Sequence, residues 1–354
     1  MSEISKFGGL GLTALMSNLG PLSRPYKLNF AVTYWCQSRC LTCNIWQMKP
    51  KDELSIDEIA EFARKNNSFK WLELTGGEPF LRQDIVRIAE EFYNNSKGLY
   101  MLTLPTNSLC DHDMVERKLR SILDLGIPRV ILTVSLDGHK ELEDKIRGVK
   151  GNYEKAIDMF DRVHRLREEY KNLDAFFGYT ISRFNQGELE RTVEEVMRQL
   201  PYVTPNHFHI NMGQISSNYY GNGNVEIRAN EADILNDIGA LLKMRKQDYS
   251  PVGMLESSFL RKLMVYARTG EPPLKSRSLD ASLFLDSFGN VYPSIMWDRK
   301  VCNIRDIDYD ISKVWDSAEV NELRREIKEG REPKHWTACE AYQSIVGNLP
   351  SLIY

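Results

Sequence analysis

The stretch KLNFAVTYWCQSRCLTC, residues 27–43, decides the fold and most of the chemistry. Its first eight residues alternate apolar and polar, as a β-strand does. The loop that follows places Cys36, Cys40 and Cys43 within eight residues. Thiolates so close in sequence can converge on one metal centre. A structural zinc site wants four protein ligands, and no fourth Cys or His lies nearby. A cubane iron–sulfur cluster can be held by three cysteines, with one iron left open for chemistry. Three free or zinc-bound cysteines are the alternative reading. The other cysteines, Cys110, Cys302 and Cys339, are scattered. Six in 354 residues do not make a secreted disulfide framework, which points to a cytoplasmic protein with one metal-binding loop.

Outward from this loop the chain alternates strand-like and helix-like patterns. Ser55-Ile56-Asp57-Glu58 is a capping box opening a helix to about residue 67. Strands are expected at 70–75, 99–105, 129–136, 173–181 and 206–212, with helices near 83–96, 112–125, 152–170 and 187–199. Six strands separated by helices imply a parallel sheet with right-handed crossovers. A doubly wound sheet and a partial barrel both satisfy the pattern, and in either the ligands gather at the carboxyl ends of the strands. The unusual residues fall at those ends: the cysteine loop, TGGEP at 75–79, PTN at 105–107 and SLDG at 135–138.

The pattern changes near residue 213. SSNYYGNGN, rich in turn residues, marks a boundary. Helices at about 230–247 and 256–268 follow, then a hairpin SLFLDSFGNVYPSI turning at Gly289-Asn290, and helix around 312–329, which together make a smaller α+β cap. The expected division is 1–25, an N-terminal helical extension; 26–225, the core; and 226–354, the C-terminal domain. The charge is 46 − 49 = −3, so no basic field argues for nucleic acid. No run approaches the roughly 18 apolar residues of a membrane span. The first 25 residues lack the basic and long apolar regions of a secretory signal; they read as a packing helix, with membrane-surface contact as the alternative.

The loop Cys36-Gln37-Ser38-Arg39-Cys40-Leu41-Thr42-Cys43 resembles the CxxxCxxC signature of radical S-adenosylmethionine (radical SAM) enzymes. Thr75-Gly76-Gly77-Glu78-Pro79 resembles that family's GGEP motif after the second strand. The resemblance implies a partial (β/α)6 TIM-like barrel, oxygen-sensitive, with a [4Fe–4S] cluster on Cys36, Cys40 and Cys43 and S-adenosylmethionine on the fourth iron. It implies that Gly76 and Gly77 allow close backbone approach to the methionine moiety and that Glu78 accepts from its ammonium. Ser135 and Asp137 resemble the segment lining ribose and carboxylate, Arg147 the arginine that pairs with that carboxylate, and Thr106-Asn107 the family's TNG stretch with Ser108 in place of glycine. Thr42 departs from the aromatic residue usual before the last cysteine, so Trp35, Ile45 or Trp46 would substitute against adenine. The implied chemistry is reductive cleavage of S-adenosylmethionine to a 5′-deoxyadenosyl radical that abstracts a substrate hydrogen atom. An electron donor such as flavodoxin or ferredoxin is implied with it.

The C-terminal segment resembles the cap called SPASM, or its shorter twitch form, with Ser294 where a cluster cysteine is expected and Cys339 as one remnant of a pair. Two leftover thiols cannot hold a standard four-cysteine cluster. A cap without auxiliary clusters favours redox-neutral outcomes, on a peptide or a small molecule, with Cys302 or Cys339 as candidate hydrogen donors (Cys110 a further one). The alternatives are a dehydrogenase-type enzyme with an unconventional extra cluster and a non-catalytic metal-binding scaffold. His207 and His209 alternate along a strand and share one face, and Asn211 with Tyr219-Tyr220 is expected at the substrate pocket.

Overall fold

The computed structural model describes residues 2–352; residues 1, 353 and 354, the outer ends of the expected extension and C-terminal domain, lie outside the described residues. After α1 (Glu3–Met16), the chain lays down β1 (Lys27–Thr33), α2 (Ile56–Lys65), β2 (Trp71–Gly76), α3 (Ile85–Asn95), β3 (Met101–Thr106), α4 (His112–Asp124) and β4 (Arg129–Ser135). Next come α5 (Lys140–Arg147), α6 (Asn152–Glu169), β5 (Leu173–Ile181), α7 (Leu189–Gln199) and β6 (Phe208–Met212). The six strands lie side by side in chain order, every neighbouring pair parallel. This is the α/β partial barrel expected, and its sheet does not close.

Alternation along the strands sorts their side chains. Leu28, Phe30, Val32, Leu72, Leu74, Leu132 and Val134 are buried in the main core with helix residues such as Phe62, Ile88 and Phe160. The intervening positions, among them Lys27, Asn29, Glu73 and His209, face the other side. The capping box at Ser55 and Glu58 is present with both reciprocal bonds.

The second part comprises α8 (Glu231–Met244), α9 (Pro251–Thr269), β7 (Ser282–Leu285), β8 (Asn290–Tyr292), β9 (Cys302–Asn303), α10 (Ser312–Trp315), α11 (Ala318–Lys328) and α12 (Ala338–Gly347). The expected hairpin is β7–β8, and it continues the main sheet: β7 pairs parallel with β1 from Lys27↔Ser282 to Phe30↔Leu285, giving one sheet of nine strands. α12 lies across the face opposite the main helices. Lys27 Nζ donates to the Cys339 carbonyl and, at 3.1 Å, to Gln343; Asn29 Nδ2 donates to Glu340 at 2.9 Å. At its amino end the Ala338 N–H donates to Asn211 at 3.1 Å.

His207 and His209 do not share a face. His207 ends a 3-10 turn before β6 and meets Phe160 on α6, whereas His209 lies in β6 and stacks on Phe176. The strand starts at Phe208, two residues later than the alternation assumes, and the turn rotates His207 away. Among the described residues no helix is long and apolar enough to cross a membrane.

Candidate active site

The cysteine loop leaves the carboxyl end of β1 and is gripped from three sides. Arg39 and Leu41 N–H groups donate to the carbonyls of Arg147 and Ile146 at the end of α5, at 2.9 and 2.8 Å. Gly148 ends α5 in the left-handed region, and a Cβ there would meet the Arg39 carbonyl oxygen at 2.6 Å. On the other flank Asn222 Nδ2 donates to the Thr42 carbonyl at 2.9 Å, and the Asn44 N–H to that of Tyr220 at 2.8 Å. The third contact is the Gly76-Gly77-Glu78 turn. Gly77 N–H donates to the Thr33 carbonyl and Glu78 N–H to that of Trp35, both at 2.8 Å. A Cβ on Gly76 would stand 2.1 Å from the Thr33 oxygen, and one on Gly77 2.2 Å from that of Trp35. The close approach these glycines permit is therefore to the backbone leading into the cysteine loop.

Glu78 is completely buried. Its carboxylate accepts from the Asn107 N–H at 2.7 Å, the Thr106 hydroxyl at 3.1 Å and the Phe80 N–H at 3.2 Å. Burial pushes its pKa up to about 7 against those three donors. A carboxylate offers about four lone-pair sites, so one acceptor position remains for a further donor. Asn107 also aims Nδ2 at Cys36 Sγ, 3.6 Å away, and its carbonyl is held by Asn152 at 2.9 Å. Ser108 takes φ +64, the conformation for which glycine is suited, which accounts for glycine in the motif it resembles.

Arg147 stands between two buried carboxylates. It lies 2.8 Å from Asp137 Oδ2 and 3.4 Å from Glu143 Oε1, and donates toward Cys40 Sγ at 3.8 Å. Asp137 is fixed further by the Thr180 N–H at 2.8 Å, while its own N–H donates to Glu143. Burial, together with the Asp137 charge, pushes the Glu143 carboxyl up, and the Arg147 guanidinium pulls against that rise. Ser135, half-buried, ends β4 opposite Gly178.

Burial raises all three loop thiols, Cys36 and Cys43 to about 12; the charge of Cys40 adds to the rise at both, and those of Asp137 and Glu143 to the rise at Cys40. Thiols so buried become ligands only where a cation offsets the charge, and Arg147 supplies part of that offset. Among the described residues no three His, Cys, Asp or Glu side chains converge tightly enough for a single metal ion. Thiols that each bind a different iron of one cluster need no such convergence. The donor set therefore fits a cluster. Beside the loop Trp35 is exposed, Ile45 buried and Trp46 intermediate.

The remaining thiols divide. Cys339, like Cys36, Cys43 and Tyr220, packs against the apolar group that includes Tyr34, Ile45 and Tyr219, and its Sγ donates to Glu73 Oε1 at 2.9 Å. Cys302 lies on the edge strand β9 opposite Val291, away from the loop. Cys110 accepts from Gln37 Nε2 at 3.2 Å. Tyr219, expected at the substrate pocket, instead binds the glycine turn: its hydroxyl lies 2.9 Å from Thr75 Oγ1 and accepts from the Gly76 N–H at 3.2 Å. Sequence reasoning passed over Asn152, Asn222 and Glu73. Only Glu73 carried a signal, as an acid inside a buried parallel strand.

The chain is thus an open parallel α/β barrel with a three-thiol loop after β1 and a Gly-Gly-Glu turn after β2. Residues 30–196 match the Radical SAM superfamily model, and this part of the chain is a radical SAM domain. That family binds a [4Fe–4S] cluster and S-adenosylmethionine. The chain is 29% identical over 175 residues to the AdoMet-dependent heme synthase of Methanosarcina barkeri, covering 48% of this chain and 46% of that protein. It is 28% identical over 182 residues to the PqqA peptide cyclase of Rhizobium meliloti, covering 49% and 44%. The chain thus spans about half the length or less of these curated relatives. Among solved structures, anSMEcpe with bound AdoMet superposes with a TM-score of 0.57 at 15% identity, over 93% of this chain and 98% of that one. SuiB of Streptococcus suis bound to S-adenosylmethionine gives 0.55 at 14% identity, over 86% and 68%.

Proposed function

We propose that this chain is a radical SAM enzyme whose single [4Fe–4S] cluster is held by Cys36, Cys40 and Cys43. The observation that carries this reading is the docking of the Gly76-Gly77-Glu78 turn onto the backbone of the cysteine loop, with Glu78 buried and one acceptor position free. When bound, the cluster and S-adenosylmethionine supply a one-electron cleavage that yields a 5′-deoxyadenosyl radical able to take a hydrogen atom from carbon.

The residues of the chain have distinct tasks. Gly76 and Gly77 set the turn against the loop, and Glu78 receives the methionine ammonium, a cation that draws its raised pKa back down. Asp137 and Ser135 serve the ribose and carboxylate side. Arg147, in direct contact with Cys40, brings positive charge to both the thiolates and the bound carboxylate. Asn107 joins the two halves, bonding Glu78 through its N–H and Cys36 through its side chain. The buried face keeps water from the radical.

The segment from residue 226 serves as a SPASM- or twitch-like cap without auxiliary clusters, and the outcome is redox-neutral. Cys339 is the better-placed hydrogen donor, since it packs against the same apolar group as Cys36 and Cys43 whereas Cys302 is remote; the thiyl left when it gave a hydrogen atom to a substrate radical would return to the thiol with one electron from the protein donor and one proton from solvent. The substrate is a peptide or a small molecule. The peptide reading gains support from PqqA peptide cyclase among the relatives and from the structure of SuiB bound to precursor peptide SuiA. A flavodoxin- or ferredoxin-type protein supplies electrons in the cytoplasm, away from oxygen.

Anaerobic reconstitution tests the reading. About four iron and four sulfide per chain are expected, lost on replacing the three cysteines by Ala, with 5′-deoxyadenosine released on reduction with S-adenosylmethionine. Clearly more than four would restore the extra cluster and dehydrogenation. Zinc without sulfide would overturn the proposal.

A further inference from the structure

A second site lies at the opposite end of the sheet. A cavity of about 210 Å3 opens beside the first residues of β4 and β5, the turn before β6 and the start of α9. Along β5, six residues separate Asp174 in this cavity from Thr180, which bonds Asp137; at roughly 3.3 Å per residue that is about 20 Å. The volume is far above the roughly 10–15 Å3 that one water needs.

Its lining holds unmet hydrogen-bonding groups of both kinds. Asp174 is consumed by Arg129, at 2.5 Å, and Arg167, at 3.6 Å. Arg245 gives one guanidinium nitrogen to the Phe208 carbonyl, but its Nε is buried without a partner. Lys246 stands exposed at the rim. Against these donors stand acceptors, the Asp248 carboxylate at the edge and two buried ones. Glu256, 5% exposed, spends Oε1 on the Tyr342 hydroxyl and leaves Oε2 buried and unpartnered. Asn206 Oδ1 is likewise buried and unpartnered. Each such atom is destabilising when nothing meets it. A simple anion would satisfy Arg245 and Lys246 but meet repulsion from Glu256, and a simple cation would suffer the reverse. Phe176 and Val252 add an apolar wall.

We infer that this cavity binds a small zwitterion of the α-amino-acid type, its carboxylate on Arg245 and Lys246 and its ammonium on Glu256 and Asn206. Its distance from the cysteine loop makes it a site separate from the radical chemistry. Binding there needs neither iron nor S-adenosylmethionine, so the test stands apart from the reconstitution above.

The full chain is titrated with each of the twenty common L-amino acids by thermal shift at constant ionic strength, with propionate and methylammonium as single-charge controls. At least one amino acid should raise Tm saturably, at concentrations where neither control does. Lys246→Met removes an exposed charge and leaves the core intact; it should weaken that binding about tenfold. Glu256→Gln should erase the preference for the amino acid over propionate. Asn206→Ala, read in the same way, replaces it should the Glu256 variant fail to fold. The inference is overturned if no amino acid binds, if propionate binds as tightly, or if Lys246→Met leaves the affinity unchanged.

Discussion

Replacing Gly77 by Ala isolates the contact on which the active-site reading rests. The new methyl would stand 2.2 Å from the Trp35 oxygen, 2.7 Å from its carbonyl carbon and 3.0 Å from Cys36 Cβ, where ordinary contact begins near 3.4 Å. Turn and loop must part by about 1 Å. Two backbone bonds, Gly77 to Thr33 and Glu78 to Trp35, are then strained, each worth about 1 kcal/mol net. Overpacking adds about 1–3 kcal/mol. The expected loss is therefore about 3–5 kcal/mol in a urea titration of the apoprotein, accompanied by a fall in iron retained after reconstitution. Gly239→Ala, in α8, supplies the control: nothing lies within 4 Å of its Cβ, and Ala should add about 1 kcal/mol. A Gly77→Ala protein with the wild-type urea midpoint and full iron would refute the docking argument.

Three further outcomes are expected. Arg147→Met strips the cation from Asp137 and Glu143, both fully buried, and should cost about 3–5 kcal/mol in chemical denaturation, with iron binding weakened. Ser108→Gly should leave the protein as stable or up to about 1 kcal/mol more so, because it removes a left-handed non-glycine residue and a buried, unpartnered hydroxyl; a lower Tm would count against it. Glu58, bonded to Arg305 and to its own helix cap, has its pKa lowered to about 2. A depressed carboxylate stabilises the fold above the unfolded value near 4.5 and loses that contribution as pH falls toward 2. Since Glu58 and Arg305 both keep part of their surface in water, Glu58→Gln should cost about 1 kcal/mol at pH 7. The gap from wild type should close in denaturation curves near pH 2, and a gap constant with pH would exclude the ion pair.

The six-strand core was legible because each element announces itself locally. The capping box at Ser55, the apolar run of β4 and the turn residues after 213 depend on neighbours in sequence. Two helices escaped for physical reasons. α5, KELEDKIR, reads as a charged surface, yet Glu143 is fully buried because Arg147, one turn on in the same helix, and the Asp137 N–H from the loop before it compensate it. α12 shows no amphipathic period because seven of its ten residues, Glu340 and Gln343 included, are buried on all sides. Within the site, the motif residues marked where chemistry gathers but not what holds them. Tyr219 was visible as an aromatic in a loop; that its hydroxyl secures Gly76 depends on a contact across 143 residues.

The pairing of β7 with β1 has a consequence for how the molecule is made. Lys27 emerges from the ribosome early, but its strand partner Ser282 follows 255 residues later, since 282 − 27 = 255. The strand that leads into the three thiols therefore carries a raw backbone edge through most of synthesis. The chain that covers the sheet's other face, α12, arrives later still. The face of the sheet that α12 covers, Lys27 and Asn29 on β1 included, therefore stays open until after β7 has been made.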